Sequence, residues 1–199
     1  MAALAESLVD EWLNRQGFFS VRGIKHGVDE IDLLGVRPDG NGLEAWHVEV
    51  QASFRPIGYI SSLTDEFVPS FAKSKTSAKE RPLDILKPCV AAWVANKFLN
   101  TEKKKARESA WPGLRWRHVF VHAVVREPQE LEMIKAAGIQ LIPLHEILAQ
   151  LKHAAGKLKG GAGTDLAEVI EYYNSYVMPV NRMAQRDTRD RSARGGRSR

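Results

Sequence analysis

Two carboxylates occupy positions where their neighbours belong in an apolar core. Asp32 lies within the run EIDLL, and Glu49 lies between two valines in HVEVQ. Burial of an ionised carboxylate is unfavourable unless the group is paired or binds a metal. Mg²⁺ takes oxygen ligands and is held by one or two carboxylates together with substrate phosphate. The two residues therefore predict a site that suits Mg²⁺, with water and substrate phosphate as its further ligands.

The pattern around these carboxylates predicts the elements that bring them together. Residues 3–16 have apolar side chains at helical spacing and end at a glycine, so they predict a helix. Strands are predicted over 18–24, 30–36 and 44–51, with turns between them. The third strand alternates, so that Glu49 and Gln51 point to the same face. Adjacent strands place same-face Cβ atoms about 4.5–5.5 Å apart, so we expect Asp32 and Glu49 to be neighbours.

The remainder of the chain predicts further helices and strands. Helices are predicted over 65–79, 100–110, 128–137, 144–153 and 164–176, and strands over 89–95, 118–125 and 139–142. Strands interspersed with helices predict an α/β or α+β domain. We expect a folded core over 1–155, a linker with a C-terminal helix over 156–181, and a disordered basic tail over 182–199.

The net charge of +5 at pH 7 is concentrated at the C-terminal end. Residues 182–199 contain seven arginines and two aspartates, and the preceding residues are balanced in charge. Such a segment suits the phosphate backbone of nucleic acid. Two further basic stretches predict nucleic-acid contacts through Lys103, Lys104, Lys105, Arg107, Arg115 and Arg117.

Composition argues against several other classes of protein. A disulfide framework is not possible with a single cysteine, Cys89. No window holds about 18 apolar residues in succession, so no transmembrane helix is predicted. The opening residues, MAALAESLVDEW, carry acidic side chains and lack the basic segment of a secretory signal. We therefore expect a cytoplasmic protein with no membrane partner.

An ordered series of motifs spans residues 6–53. A helix that carries a glutamate leads to a Gly-Phe…Arg strand, a hairpin delivers an aspartate, and the next strand delivers Glu-x-Gln. The residues concerned are Glu6, Gly17, Phe18, Arg22, Asp32, Glu49 and Gln51. This order resembles the start of the PD-(D/E)xK nuclease superfamily, and it is most similar to archaeal Holliday-junction resolvases and Mrr-like restriction enzymes. The resemblance implies an α/β, restriction-endonuclease-like fold, in which a central mixed β-sheet is flanked by helices.

The same resemblance implies metal-dependent hydrolysis of phosphodiester bonds in DNA, of a restriction, repair or recombination type. By analogy, Asp32, Glu49 and the Val50 carbonyl hold Mg²⁺ or Mn²⁺. Glu6 would hold a second metal or a water, and Gln51 would position the nucleophile. A homodimer is also implied, because cutting two strands needs two sites.

Two positions depart from the family pattern. Ile31 stands where the family has a proline before its aspartate, and Gln51 stands where the family has a lysine. Gln adds no positive charge, although some active members carry Glu-x-Gln. A lysine from elsewhere is an alternative, and the candidates are Lys25, Lys73 and Lys75. The change also motivates two other hypotheses, which are a nuclease-fold protein that binds nucleic acid or a partner without cutting, and an RNA-processing nuclease.

Overall fold

A five-stranded mixed β-sheet forms the centre of the fold, with its strands in chain order. The computed structural model describes residues 2–52, 56–71 and 74–155. The strands are β1 (Phe19–His26), β2 (Asp29–Asp39), β3 (Gly42–Gln51), β4 (Trp116–His122) and β5 (Gln140–Pro143). The first three strands pair antiparallel, and β4 and β5 continue the sheet in parallel with β3. The predicted α/β class is therefore confirmed, and helices flank the sheet.

The described helices begin and end as follows. They are α1 (Ala2–Arg15), α2 (Val68–Phe71), α3 (Leu83–Val94), α4 (Thr101–Ala110), α5 (Pro128–Ala136) and α6 (Leu144–Ala155). A π-helical turn, Ala95–Leu99, follows α3 directly. None of the described helices is long and apolar enough to cross a bilayer.

The first helix packs through an apolar stripe at helical spacing. Its buried side chains are Ala5, Leu8, Val9, Trp12 and Leu13. Trp46 of β3 packs against this stripe, with its ring centroid 6.1 Å from that of Trp12. It also packs against Phe18, which follows the helix, at a centroid distance of 4.7 Å. The predicted helix over 3–16 and the three predicted strands that follow it are thus present, with ends shifted by a few residues.

The helices that follow β3 build a second core, which includes Phe120 of β4. The ring of Trp93, in α3, lies 4.7 Å from that of Phe120. Ile134 of α5 is fully buried in the same cluster. A smaller cluster joins Ala106 of α4 to Ile31 of β2. These clusters anchor the α3–α4 region, whose residues enter the candidate site described below.

Two predicted elements were wrong. The apolar run over 89–95 is not a strand but the second half of α3 and the start of the π-helical turn. Buried residues of α3 lie three and one apart (Leu86, Cys89, Val90, Trp93, Val94), which is helical spacing. Within the described residues, the predicted helix over 65–79 is reduced to α2, because Pro69 limits its start and residues 74–80 form turns and bends.

The chain divides into two compact units, Met1–Ile147 and Leu148–Arg199. The whole sheet belongs to the first unit, and the described part of the second is the end of α6. The predicted helix over 164–176 and the predicted tail over 182–199 lie outside the described residues.

Candidate active site

The two carboxylates meet where β2 and β3 separate. The antiparallel register of these strands begins at the pair Leu33–Val48, and Asp32 is one residue beyond it. Beyond this pair, the main chain of β3 is hydrogen-bonded to a side chain, since the Val50 N–H donates to Asp32 Oδ2 at 2.7 Å. This hydrogen bond places the Asp32 carboxylate against the stretch of β3 that carries Glu49. The predicted juxtaposition is therefore present.

Asp32 is a carboxylate whose surroundings oppose its charge. Burial raises its pKa from 3.8 to about 6, and the charges of Glu49 and Glu6 add to the rise. The Val50 hydrogen bond and the positive charge of Lys97 act in the opposite direction without cancelling it. Within the described part of the chain, no cationic side chain forms a salt bridge with Asp32. A cation placed beside Asp32 would relieve this repulsion.

Glu49 has the opposite environment, although it is only 1% exposed. Its Oε1 accepts hydrogen bonds from Lys103 Nζ at 2.5 Å and His47 Nε2 at 2.9 Å, and its Oε2 accepts from Lys97 Nζ at 3.0 Å. Burial alone would raise the pKa of Glu49, yet the His47 hydrogen bond and the two ammonium charges lower it below its ordinary value. Glu49 is therefore an anion at neutral pH.

His47 is held as a neutral imidazole beside Glu49. Arg107 Nη1 donates to its Nδ1 at 2.8 Å, so Nδ1 carries no proton. Its Nε2–H then donates to Glu49. Burial lowers the pKa of His47 to about 4, although the hydrogen bond to Glu49 opposes that effect. Arg107 is fixed in turn by a second hydrogen bond, of 3.0 Å, to the Phe98 carbonyl.

Lys97 is the cation whose charge acts on both carboxylates. It forms a 3.0 Å ion pair with Glu49, and its charge also acts on Asp32 and Glu6. Burial would lower the pKa of Lys97, but the charge and hydrogen bond of Glu49, together with the charges of Asp32 and Glu6, outweigh burial and raise it. The residue lies in the π-helical turn, a local distortion that is frequent at functional sites. Lys97 was not among the lysines considered from the sequence.

Of those lysines, the two that are described lie elsewhere. Lys25 pairs with Glu30 at 3.6 Å, and Lys75 pairs with Asp65 at 2.7 Å. Lys73 lies outside the described residues. Gln51, which stands in place of the family lysine, donates its amide N–H to the Ile60 carbonyl at 3.3 Å. Its side chain therefore tethers the segment after β3.

The basic residues predicted to bind nucleic acid fall into two groups. Lys103 and Arg107 are buried within the cluster around Glu49, so they form no part of an exposed basic surface, and that prediction was wrong for both. The other four, Lys104, Lys105, Arg115 and Arg117, are exposed. Two of the exposed residues also form salt bridges, Lys105 with Glu102 and Arg117 with Glu44.

The residues present fit a divalent cation at Asp32 better than at Glu49. No group of three or more His, Cys, Asp and Glu side chains in the described residues forms a metal-binding cluster. Asp32 is an oxygen donor with an uncompensated charge, as Mg²⁺ requires. Both Glu49 oxygens are already hydrogen-bonded, so a cation shared between the carboxylates would compete with Lys97.

Comparison with known proteins adds little to this geometry. No protein-family model matches the chain, and no curated protein matches it. A crystal structure of a protein of unknown function, AF1548, is similar with a TM-score of 0.39 and 15% sequence identity. That similarity covers 70% of this chain and 58% of the other. A similarity at that level does not establish a shared fold or activity.

Proposed function

We propose that the protein is a metal-dependent nuclease that hydrolyses phosphodiester bonds in DNA, with Asp32 and Glu49 as the acidic metal ligands. The observation that carries the proposal is the unbalanced charge of Asp32. Its pKa of about 6 means that at neutral pH the fold holds a carboxylate that is repelled by Glu49. An asparagine would satisfy the Val50 N–H without that penalty. A binding role for the carboxylate accounts for its presence.

Each side chain near the pair has a part in such a site. A bound Mg²⁺ would supply Lewis-acid activation of the phosphate. His47 and Lys103 orient the buried Glu49 carboxylate. Lys97 lies close enough to both carboxylates to stabilise negative charge that develops on the phosphate. Lys97 would then do what a lysine at the position of Gln51 does in the resembling family.

The exposed basic side chains support a nucleic-acid substrate. Lys104 and Lys105 belong to α4, Arg115 directly precedes β4, and Arg117 lies within β4. Cationic side chains of this kind bind the phosphate backbone and confer a strong dependence on salt. The Arg-rich sequence over 182–199 adds to that charge.

A second candidate is a nucleic-acid-binding protein that does not cut. It is favoured by the pair of lysines on Glu49, because two ammonium groups already neutralise the carboxylate that a metal would need. In that case the cluster is a buried ion network that holds α4 and the π-helical turn against β3. The two candidates differ in whether a divalent cation binds at Asp32.

Cleavage assays with a panel of DNA and RNA substrates test the proposal. The panel contains linear, nicked, branched and single-stranded DNA, with single-stranded and duplex RNA, in Mg²⁺ or Mn²⁺. We expect DNA cleavage by the wild type, none by Asp32→Asn, and a fall on the order of 100-fold for Lys97→Met. Asp39→Asn and Lys135→Met are the matched controls, because both residues are exposed and neither belongs to the candidate site or to the basic residues assigned to DNA binding.

The alternatives predict different results in the same panel. Salt-dependent DNA binding with no cleavage by the wild type in either metal would establish the binding protein and refute the nuclease. Cleavage of RNA alone would identify an RNA-processing enzyme. Equal cleavage by wild type and a folded Asp32→Asn protein would remove Asp32 from the mechanism.

A further inference from the structure

A pocket of about 320 Å³ lies beside the candidate active site. Gln51 lines it together with the segment 57–62, the segment 76–78 and Arg81. Gln51 follows Glu49 by two residues on the same face of β3, so the pocket and the carboxylates share a strand. This volume is at the lower end of the range of about 300–1,000 Å³ for small-ligand sites, which suits a ligand of the size of one nucleotide.

One wall of the pocket is held in place by a buried carboxylate. Glu130 of α5 is fully buried and accepts hydrogen bonds from the Ile60 N–H at 2.5 Å and the Ser61 N–H at 2.7 Å. Ile57 adds two main-chain hydrogen bonds to the segment that follows β4. Because these contacts fix main-chain groups, the wall is preformed before any ligand arrives, which reduces the entropy lost on binding.

Arg81 supplies a buried positive charge to the pocket. Its side chain donates to the Ser61 carbonyl at 2.8 Å and to the Ser77 carbonyl at 3.3 Å, and lies 4.1 Å from the centre of the Tyr59 ring. The residue is 5% exposed. Over residues 2–52, 56–71 and 74–155, no carboxylate forms a salt bridge with it and its Nε has no hydrogen-bond partner. A buried cation without a counter-ion is unfavourable, so the site favours an anionic ligand.

The other polar groups of the pocket are neutral and can donate hydrogen bonds. They are the hydroxyls of Ser62, Thr76 and Ser77 and the amide of Gln51, whereas the Ser61 hydroxyl already donates to Glu130. Hydroxyl and amide donors around a guanidinium are a suitable set for phosphate oxygens. Tyr59 and Ile57 add apolar surface to the lining, which suits a sugar or a base.

We propose that this pocket binds one nucleotide, with its phosphate at Arg81 and its sugar and base against Tyr59 and Ile57. In a nuclease, this would be the nucleotide of the substrate strand next to the bond that is cut. That placement rests on the proposed function, because Gln51 is the residue shared with the candidate active site. The binding of a nucleotide does not rest on it, since Arg81 and the serines make no contact with Asp32 or Glu49.

Calorimetric titration of the full chain in EDTA tests the pocket without any metal. The ligands are thymidine monophosphate, inorganic phosphate and thymidine. We expect the nucleotide to bind with a Kd of about 1 mM or tighter, and phosphate and thymidine to bind at least about tenfold more weakly. Ser62→Trp places an indole at the exposed rim of the pocket and should weaken nucleotide binding by about tenfold or more. Ser70→Trp, on α2 and outside the lining, should leave the affinity unchanged.

Several outcomes would overturn the pocket proposal. These are no binding of the nucleotide up to about 10 mM, equal binding by folded Ser62→Trp and Ser70→Trp proteins, or equal affinities for the nucleotide and either of its fragments. Arg81→Lys should also weaken nucleotide binding, and melting curves show whether this variant remains folded.

The two proposals fail separately. Nucleotide binding that is retained in a wild type unable to cut DNA would leave the pocket and remove the nuclease. DNA cleavage with an unchanged KM in Ser62→Trp would refute the placement of the pocket next to the cut bond and leave the nuclease proposal standing.

Discussion

Replacement of Asp32 by asparagine should stabilise the protein at neutral and alkaline pH. Asparagine keeps a side-chain oxygen for the Val50 N–H but removes the charge that burial and Glu49 oppose. The pKa of Asp32 is raised from 3.8 to about 6, and that rise corresponds to about 3 kcal/mol of unfolding free energy. The unfolding free energy of Asp32→Asn should therefore exceed that of the wild type by up to about 3 kcal/mol at about pH 8.

The sign of the pH dependence follows from proton binding. Between pH 3.8 and about 6, the folded protein still holds the Asp32 proton that the unfolded chain has lost. The wild type therefore loses stability relative to Asp32→Asn as the pH rises through this window. Below it, the carboxyl is protonated in both states and the difference should disappear. The two histidines whose pKa is lowered to about 4, His47 and His118, are common to both proteins and do not enter the first-order difference.

Urea unfolding followed by tryptophan fluorescence in EDTA measures this difference. Asp39→Asn, exposed at the end of β2, is the control and should stay within about 0.5 kcal/mol of the wild type throughout. An Asp32→Asn protein that is no more stable at about pH 8, or a difference that does not change with pH, would refute the electrostatic reasoning. Saturating Mn²⁺, at about 100 times its Kd, should add about 2.7 kcal/mol to the wild type and much less to Asp32→Asn.

Four further predictions concern the cations and the loop around the site. Lys97→Met should bind Mn²⁺ up to about fivefold more tightly in calorimetry, because it removes a competitor for Glu49, although its cleavage rate falls. The double variant Lys97→Met/Gln51→Lys should regain part of the cleavage rate, and a double variant as inactive as Lys97→Met would refute that role of the charge. Lys103→Met leaves Glu49 without its buried lysine and should lower the unfolding free energy in urea by about 3 kcal/mol. Glu130→Gln places a side-chain NH₂ group against the main-chain N–H groups of Ile60 and Ser61, which now donate to the carboxylate. The variant should lower the unfolding free energy by about 2 kcal/mol and speed hydrogen exchange of these two amides.

The first third of the structure follows from local patterns in the sequence. Helix α1 has a clear helical periodicity, the sequence of β3 alternates, and short connections fix the antiparallel pairing of β1, β2 and β3. The proximity of Asp32 and Glu49 needed only that pairing. The strand predicted over 89–95 failed because a short apolar run suits a buried strand as well as a helix. The helical spacing of α3 becomes visible only when Leu86 is included.

The partners of Glu49 could not be predicted in the same way. Lys97 and Lys103 lie 48 and 54 residues further along the chain, so only the tertiary fold brings them to β3. One local signal was present in TEKKKARESA. Ala106 marks the buried face of α4, and Lys103 and Arg107 fall beside it at helical spacing. Cations on the buried face of a helix require anionic or carbonyl partners, so these two residues could have been separated from Lys104 and Lys105.

The two lysines on Glu49 differ in how readily they can yield to a metal. The Lys103 side chain is 4% exposed, whereas that of Lys97 is 36% exposed. A lysine released from a buried position needs a new partner, while one at the surface can return to water or move to a phosphate. Lys97 is therefore the lysine that a divalent cation would displace, and its release would free a positive charge beside the substrate. A purely structural ion network predicts instead that Mn²⁺ binds neither protein at Asp32 and that loss of Lys97 lowers the unfolding free energy. Mn²⁺ binding that becomes tighter in Lys97→Met would consequently support a nuclease site, and the absence of Mn²⁺ binding from both proteins would support a structural one.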